Sequence, residues 1–304
     1  DDMYELYQNT ELKSGYDGSS IMSAMKEFCT TLAQTRVPAD IIDIKDYLTA
    51  MRMVKKPCEI EAIREAAKIT EDAIADTMKV IKPGMTEYDF FVKLEYEMAR
   101  RSCLIPAFET IVAVDENVFY LHHNNPDRTV IKEGDVIQLD LGARVDGYCA
   151  DISRAIFIGT SDDSTKMERR EKLHGLIVTL RREAFKFIKP GETFKTLNER
   201  MRAITWEWLI NEGLIQMKSE SNEIDVNIVS NYYWHNTSHH LGLDVHDISD
   251  REKPFENGNC LAVEPGVYIK EWGLGFRIED DVVVTEDGCS LISSGKDDLE
   301  VYPK

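Results

Sequence analysis

One phrase occurs twice in this chain, and it narrows the folds open to it. Ile81-Lys82-Pro83-Gly84-Met85-Thr86 returns, shifted from position 81 to position 188, as Ile188-Lys189-Pro190-Gly191-Glu192-Thr193. Each copy closes one long helical stretch and opens another. Proline removes a backbone donor, glycine frees the backbone, and threonine can cap the helix that follows. Ahead of the first copy, Ile60, Ile63, Ala67, Ile74, Met78 and Ile81 form one apolar stripe. That spacing predicts an amphipathic helix of about six turns, and a core-facing side explains the stripe without any further role. After the first copy, Thr86 is the expected N-cap of a helix over Glu87 to Arg100. Chance reuse of a common turn explains a single copy. Two copies in matching contexts predict two similar halves folded against each other.

Each helix pair is followed by strand-like sequence. Val136 to Arg144 and Tyr148 to Ile158 are rich in β-branched and aromatic residues, and Val145-Asp146-Gly147 between them is a hairpin turn signal. In the second half, Asn257-Gly258-Asn259 leads into an expected strand over Cys260 to Glu264. Further strands are expected at Val267 to Lys270 and Phe276 to Thr285. The predicted class is α+β, with helices packed on one face of a mostly antiparallel sheet. Residues 1–55 differ from the rest. Ser19 to Gln34 has helical spacing, Ile41 to Leu48 suits a short strand or a helical turn, and Lys55-Lys56-Pro57 marks a boundary.

Composition excludes several functions. A formal net charge of −19 opposes binding to nucleic acid phosphates or anionic lipid. No apolar run approaches the roughly 18 residues that a membrane helix needs. The six cysteines are dispersed and form no C-x-x-C pair, so they read as reduced thiols in a cytoplasmic setting. A chain of 304 residues with 43% apolar residues folds without a disulfide or metal staple, so a metal found here points to catalysis.

The candidate chemistry lies on the strands. Asp140 and Asp151 sit on the two arms of the hairpin, opposite or nearly so across its turn. Two ionised carboxylates at a cross-strand distance of about 4.5–5.5 Å repel unless a cation lies between them. Solvated aspartates are the ordinary alternative, and the flanking Val136-Ile137-Gln138-Leu139 and Ala155-Ile156-Phe157-Ile158 weaken it. His235, His239, His240 and His246 crowd into twelve residues of a chain with only seven histidines, which favours metal binding or proton transfer. Glu264 and Glu279 each interrupt an apolar run, and a buried carboxylate needs a partner or a metal. Asp280 and Asp281 read as a solvated strand end. Four carboxylates are too negative for one divalent ion. They suit two, about 3.5–4 Å apart, which lower the pKa of a shared water. Mn²⁺, Co²⁺, Fe²⁺ and Zn²⁺ all accept such ligands.

These phrases resemble the pita-bread metallopeptidases, the family of methionine aminopeptidase, aminopeptidase P and prolidase. The resemblance rests on Asp140-Leu-Gly, Gly147-Tyr-Cys-Ala-Asp151-Ile-Ser-Arg154, Ser238-His239-His-Leu-Gly-Leu-Asp-Val-His246-Asp247, Val263-Glu264-Pro-Gly266 and Arg277-Ile-Glu279-Asp-Asp281. It runs from about residue 55 to the C-terminus. The resemblance implies a pita-bread fold over residues 56–304, with residues 1–55 as the remnant of an N-terminal domain and its linker. It also implies two divalent metal ions, manganese first, with cobalt or zinc as alternatives. Asp140 would chelate one ion, Asp151 and Glu279 would bridge both, and His239 and Glu264 would complete the other shell. Glu264 would also move a proton. His122 and His246 would face the substrate, His235 matches a histidine of the proline-directed branch, and Arg277 would orient substrate or ligands.

The wording around His239 is similar to aminopeptidase P and prolidase rather than methionine aminopeptidase. The expected partner is a peptide with an Xaa-Pro N-terminus, cleaved before proline, with the aminopeptidase preferred over the dipeptidase. A homodimer is expected. A pita-bread protein that serves as a silent binding module should lack ligands, and this chain keeps all five. Asn236 stands where the family usually has glycine, and a left-handed backbone there would strain the His235 loop.

Overall fold

The computed structural model describes Glu27, residues 44–216, residues 224–295 and Val301–Tyr302. The chain divides into two compact units, Asp1–Leu48 and Thr49–Lys304. The expected helix over Ser19 to Gln34 lies, apart from Glu27, outside the described residues. Of the stretch from Ile41 to Leu48, the described part enters a helix, α1 (Lys45–Met53), rather than a strand.

Two helix pairs follow, as the repeated phrase predicts. The first is α2 (Pro57–Met78) and α3 (Glu87–Arg100); the second is α4 (Ser164–Phe187) and α5 (Phe194–Asn211). The turns between them are built alike. Gly84 and Gly191 hold φ of 92° and 94°, conformations that cost a glycine nothing. Thr86 accepts a hydrogen bond from the Asp89 amide at 3.1 Å, and Thr193 accepts one from the Thr196 amide at 3.1 Å. Each turn is tied to a later segment by the same pair of backbone bonds. Gly84 and Ile131 donate to Ile131 and Met85; Gly191 and Phe255 donate to Phe255 and Glu192. The residue nine positions after Ile131 is Asp140, and nine after Phe255 is Glu264. The internal repeat therefore reaches the expected chemistry.

Each half contributes a four-stranded sheet. In the first, β1 (Ile111–Val114), β2 (Val136–Leu141) and β5 (Ile152–Ile158) run antiparallel, and β12 (Val301–Tyr302) adds in parallel to β5. The second has β6 (Ser238–His240), β7 (Cys260–Val263), β10 (Asp280–Val284) and β11 (Cys289–Leu291), all antiparallel. Two short ribbons pair β3 (Arg144–Val145) with β4 (Tyr148–Cys149), and β8 (Gly266–Ile269) with β9 (Leu274–Arg277). Helix α6 (Val226–Val229) precedes β6. One core packs α2 and α3 against β2 and β5 around Ile63, Phe90, Leu94 and Ile137. The other packs α4 and α5 against β7 and β9 around Leu180, Leu197 and Phe276.

The strands break where function needs them to. The hairpin turns through Asp146 and Gly147, both at positive φ, the conformation a two-residue turn requires. Each expected long arm is interrupted next to Gly142, where an added Cβ would fall 1.8 Å from the Ala150 carbonyl oxygen, so only glycine allows the two backbones to meet. The strand expected over Phe276 to Thr285 is two strands. Ile278 and Glu279 form the joint between β9 and β10, which leaves Glu279 at a strand end.

Residues just after α1 are locked into the larger unit. Lys55 Nζ lies 2.9 Å from Asp247 Oδ2 with both side chains almost fully enclosed, and Arg52 bonds the same carboxylate. The Lys55 amide donates to the Gly258 carbonyl at 2.9 Å. Lys55→Met strands part of a buried charge. It should cost about 2 kcal/mol in urea unfolding, less than the roughly 3–5 kcal/mol of a buried pair broken outright, because Arg52 remains. An unchanged unfolding midpoint would refute this. No helix among the described residues is long and apolar enough to cross a membrane, and the described cysteines are free thiols.

Candidate metal centre

Strands β2 and β6, the segments at the ends of β5 and β7, and the joint between β9 and β10 converge on one cavity of about 860 Å³, and each brings one expected side chain. Asp140 lies in β2, paired with Ile111 on one side and Ser153 on the other. Asp151 directly precedes β5. His239 is the middle residue of β6 and lines the cavity, while the next residue, His240, packs edge-on against Phe194 at 5.2 Å. The β7–β10 ladder pairs Val263 with Asp280, so its next step sets Glu264 against Glu279. The two sheets meet where the Glu279 amide donates to the Ser153 carbonyl at 3.1 Å, Ser153 being the β5 partner of Asp140.

The groups are close. His239 Nε2 lies 3.4 Å from Asp151 Oδ2, 3.8 Å from Glu264 Oε1 and 3.9 Å from Glu279 Oε1. The His239 Nδ1 sits 3.1 Å from the His240 carbonyl, which fixes that nitrogen as the donor and leaves Nε2 free to ligate. Asp151, His239 and Glu279 offer donor atoms that all lie within 4.8 Å of one another. Burial pushes the Asp151 and Glu279 carboxyls well above the usual range, and the charges of Asp140 and Glu264 push both further, with Asp281 adding to Asp151 and Asp151 adding to Glu279. Glu264 is raised for the same first reason. Asp140 Oδ1 is buried with no hydrogen-bond donor among the described residues.

Such a cluster is unfavourable without positive charge. Arg277 supplies some. Its guanidinium bonds Asp140 Oδ2 and donates from Nε to Ser153 Oγ at 2.9 Å, while its amide donates to Gln138 Oε1 at 2.8 Å. Ser153 Oγ in turn donates to Glu279 Oε2 at 2.9 Å. One guanidinium does not neutralise four carboxylates. An orphaned buried oxygen, an imidazole with its free nitrogen aimed inward, and mutually repelling carboxylates fit divalent metal ions.

The remaining expected residues surround this centre. His122 and His246 line the same cavity. The His246 ring packs against that of His239 with centroids 4.3 Å apart. His235 Nδ1 is 3.4 Å from Glu264 Oε2, and burial, with the charge of Arg277, lowers its pKa to about 4, so it is neutral at physiological pH. Asn236 is not among the described residues with positive φ, so the strain expected at that position does not arise. Its side chain accepts from Asn198 Nδ2 at 3.2 Å instead.

Sequence reasoning missed several supports. Asp280 and Asp281 are not a solvated strand end: both are fully buried. Asp281 Oδ2 accepts the Asp151 amide at 3.1 Å, which pins the backbone of an expected ligand. Asp280 pairs with Arg154 at 2.9 Å and Arg181 at 2.5 Å. Their acidic neighbours suggested exposure, and the compensating arginines lie on other elements. Tyr268 was also missed. Its hydroxyl lies 3.1 Å from His235 Nε2 and its ring stacks on Trp234 at 4.7 Å. Gln138, a lone amide in the apolar run of β2, was the one visible signal among these.

Known proteins resemble this arrangement. The chain is 30% identical over 267 residues to Xaa-Pro aminopeptidase of Escherichia coli, covering 83% of this chain and 58% of that protein. It is 28% identical over 303 residues to Xaa-Pro dipeptidase of Pyrococcus furiosus, covering 98% and 78%. The crystal structure of X-Pro aminopeptidase from Thermotoga maritima superposes with a TM-score of 0.74 at 32% identity, over 90% of this chain and 71% of that one. The chain therefore spans little more than half the length of the E. coli relative. It shares the pita-bread α+β fold of its structural neighbours. A profile of metallopeptidase family M24 matches residues 61–286, and the chain belongs to that family.

Proposed function

We propose that residues 56–304 form the catalytic unit of a dinuclear-metal exopeptidase that releases the N-terminal residue from peptides with proline in second position. The observation that carries this reading is the convergence of Asp140, Asp151, His239, Glu264 and Glu279 around one cavity wall. These side chains would hold two divalent ions, manganese first among Mn²⁺, Co²⁺ and Zn²⁺. The ions supply Lewis acidity and a nucleophilic water at neutral pH.

The chain's own residues do the rest. The Glu264 carboxylate, which lines the cavity 3.8 Å from His239 Nε2, is placed to take a proton from the attacking water and pass it to the departing proline nitrogen. His122 and His246 face the cavity and orient the scissile carbonyl, and neutral His235 borders Glu264, its Nδ1 3.4 Å from Oε2. Arg277 fixes Asp140 and Ser153. Ser153 fixes Glu279. Phe108, Ile111, Leu121 and Ile248 give the cavity apolar walls that suit a proline ring.

Likeness to the Pyrococcus furiosus dipeptidase over nearly the whole chain favours a second reading, prolidase. Against it, the cavity adjoins a groove of about 470 Å³ that shares Phe194, Asn236 and Arg251 with it, which leaves room for residues beyond proline. The test is metal analysis together with an assay of Xaa-Pro dipeptides against Xaa-Pro-Yaa tripeptides in added Mn²⁺. Two ions per chain and tripeptide cleavage at least about tenfold faster are expected, a difference of roughly 1.4 kcal/mol. Cleavage of dipeptides alone makes the protein a prolidase. A chain that binds no metal is a binding module of the same fold.

A further inference from the structure

We propose that Glu87 is a positioning residue for His122: it holds the loop that presents this histidine to the cavity. The inference rests on the reading of His122 as a group that meets the substrate. Glu87 is the first residue of α3 and is fully buried. An acid at a helix N-terminus usually serves the helix and faces water. This one turns into the segment between β1 and β2, and four donors meet it. The Val114 amide and Asn117 Nδ2 donate to Oε1 at 2.6 and 2.8 Å. His123 Nε2, at 2.9 Å, and the Asp127 amide, at 3.1 Å, meet Oε2.

Those donors come from both ends of the loop that contains His122. The main chain straps it further: the Tyr88 amide donates to the Asp127 carbonyl and the Glu87 amide to the Thr129 carbonyl, each at 3.1 Å. His122 and His123 are neighbours with opposite tasks. His123 is fastened to Glu87, and His122 lines the cavity with Leu121, whose carbonyl accepts from Arg277 at 3.5 Å. One carboxylate therefore sets the position of the catalytic-side histidine through the residue beside it.

Glu87, His123 and Asp127 also lie close enough to share a cation. The hydrogen bonds argue against that use. A carboxylate offers about four acceptor sites, and all four here are taken, two of them by backbone N–H groups whose positive ends would face the ion. The arrangement is that of a structural anchor.

Glu87→Gln keeps the shape but puts an NH₂ donor where two donors already point. Its test is a cycle of wild type, Glu87→Gln, His122→Ala and the double variant, assayed on an Xaa-Pro-Yaa tripeptide in Mn²⁺, with metal content measured for each. Glu87→Gln should lower kcat/KM about 10–100-fold with metal content unchanged, the range expected when a group that orients an active-site residue is lost. In the His122→Ala background the same change should cost less than about threefold, because Glu87 acts only through His122. Amide hydrogen exchange over residues 115–127 should rise in Glu87→Gln whether or not metal is present. Equal losses in both backgrounds, a fall in metal content, or unchanged exchange would each overturn the proposal. Should Glu87→Gln not fold, His123→Leu removes a single donor, and the same cycle then carries the same expected and overturning results. A wild type that cleaves no Xaa-Pro peptide fails at the first measurement, which sinks the parent reading and is distinct from the failures above.

Discussion

Asp151→Asn should lower kcat/KM for an Xaa-Pro peptide by at least about 10³-fold and, in metal-stripped protein, raise the melting temperature. The two effects have one cause. Asp151, Glu264, Glu279 and Asp140 face one another in a pocket where Asp151, Glu279 and Asp140 are almost wholly excluded from solvent. His239, His235, Arg277 and the Ser153 hydroxyl meet them, and of these Arg277 alone is a permanent cation. Without metal, each added negative charge is desolvated and repelled, so replacing one by a neutral amide relieves the fold by about 1 kcal/mol or more. For a chain of this size that is roughly 2 °C. With metal, the order reverses. On the proposed reading the wild type would gain stability from bound ions, and the variant, short of one proposed ligand, would gain far less. The loss in rate would follow because, on the proposed reading, several kcal/mol of charge stabilisation depends on the ions that these carboxylates would hold. The measurement is a pair of thermal melts, with and without Mn²⁺, beside a kinetic assay. A metal-free variant that melts below metal-free wild type would show that the carboxylates do not strain the fold, and the argument for a cation pair would lose its electrostatic basis.

The halves of the fold were legible because their signals are local. Pro83-Gly84 and Pro190-Gly191 stop helices by backbone chemistry, and Thr86 and Thr193 start the next ones with their own side chains. The candidate site stood out for a related reason. Asp140, Glu264 and Glu279 interrupt apolar runs, and an acid in such a run needs an explanation within a few residues of itself. What could not be read was long-range compensation. Asp280 looks like one more surface acid until Arg154 and Arg181, 126 and 99 positions away, are seen beside it. Glu87 looks like a helix-start acid until the loop with Val114, Asn117 and His123 closes on it. The single strand expected over Phe276 to Thr285 has no local break signal. It parts at Glu279 because that amide leaves the ladder to donate to the Ser153 carbonyl at 3.1 Å.

Arg181→Met should destabilise the protein by about 2–3 kcal/mol, at or below the low end of the roughly 3–5 kcal/mol of a buried pair broken outright, because Arg154 remains on the other oxygen of Asp280. Arg181 is 1% exposed on α4, and its Nε donates to Asp280 Oδ2 at 2.5 Å. Asp280 is fully buried at the start of β10. Its other oxygen accepts from Arg154 Nη2 at 2.9 Å and Ser293 Oγ at 2.6 Å. Methionine fills much of the arginine's volume, so lost packing accounts for little of the effect. The damage should reach the metal centre. Arg154 also donates to the Glu279 carbonyl at 2.5 Å, so an Asp280 that drifts toward Arg154 pulls on the backbone of an expected ligand. Metal affinity should fall about 10–100-fold, as when a group supporting a ligand is removed. In urea the midpoint should drop while the slope stays the same, because the surface exposed on unfolding does not change. Adding Asp280→Asn to Arg181→Met should recover at least half of the lost stability, since the stranded charge goes with it. If Arg181→Met alone unfolds within about 1 kcal/mol of wild type, Asp280 does not depend on that guanidinium, and the route from α4 through Asp280 to Glu279 does not exist.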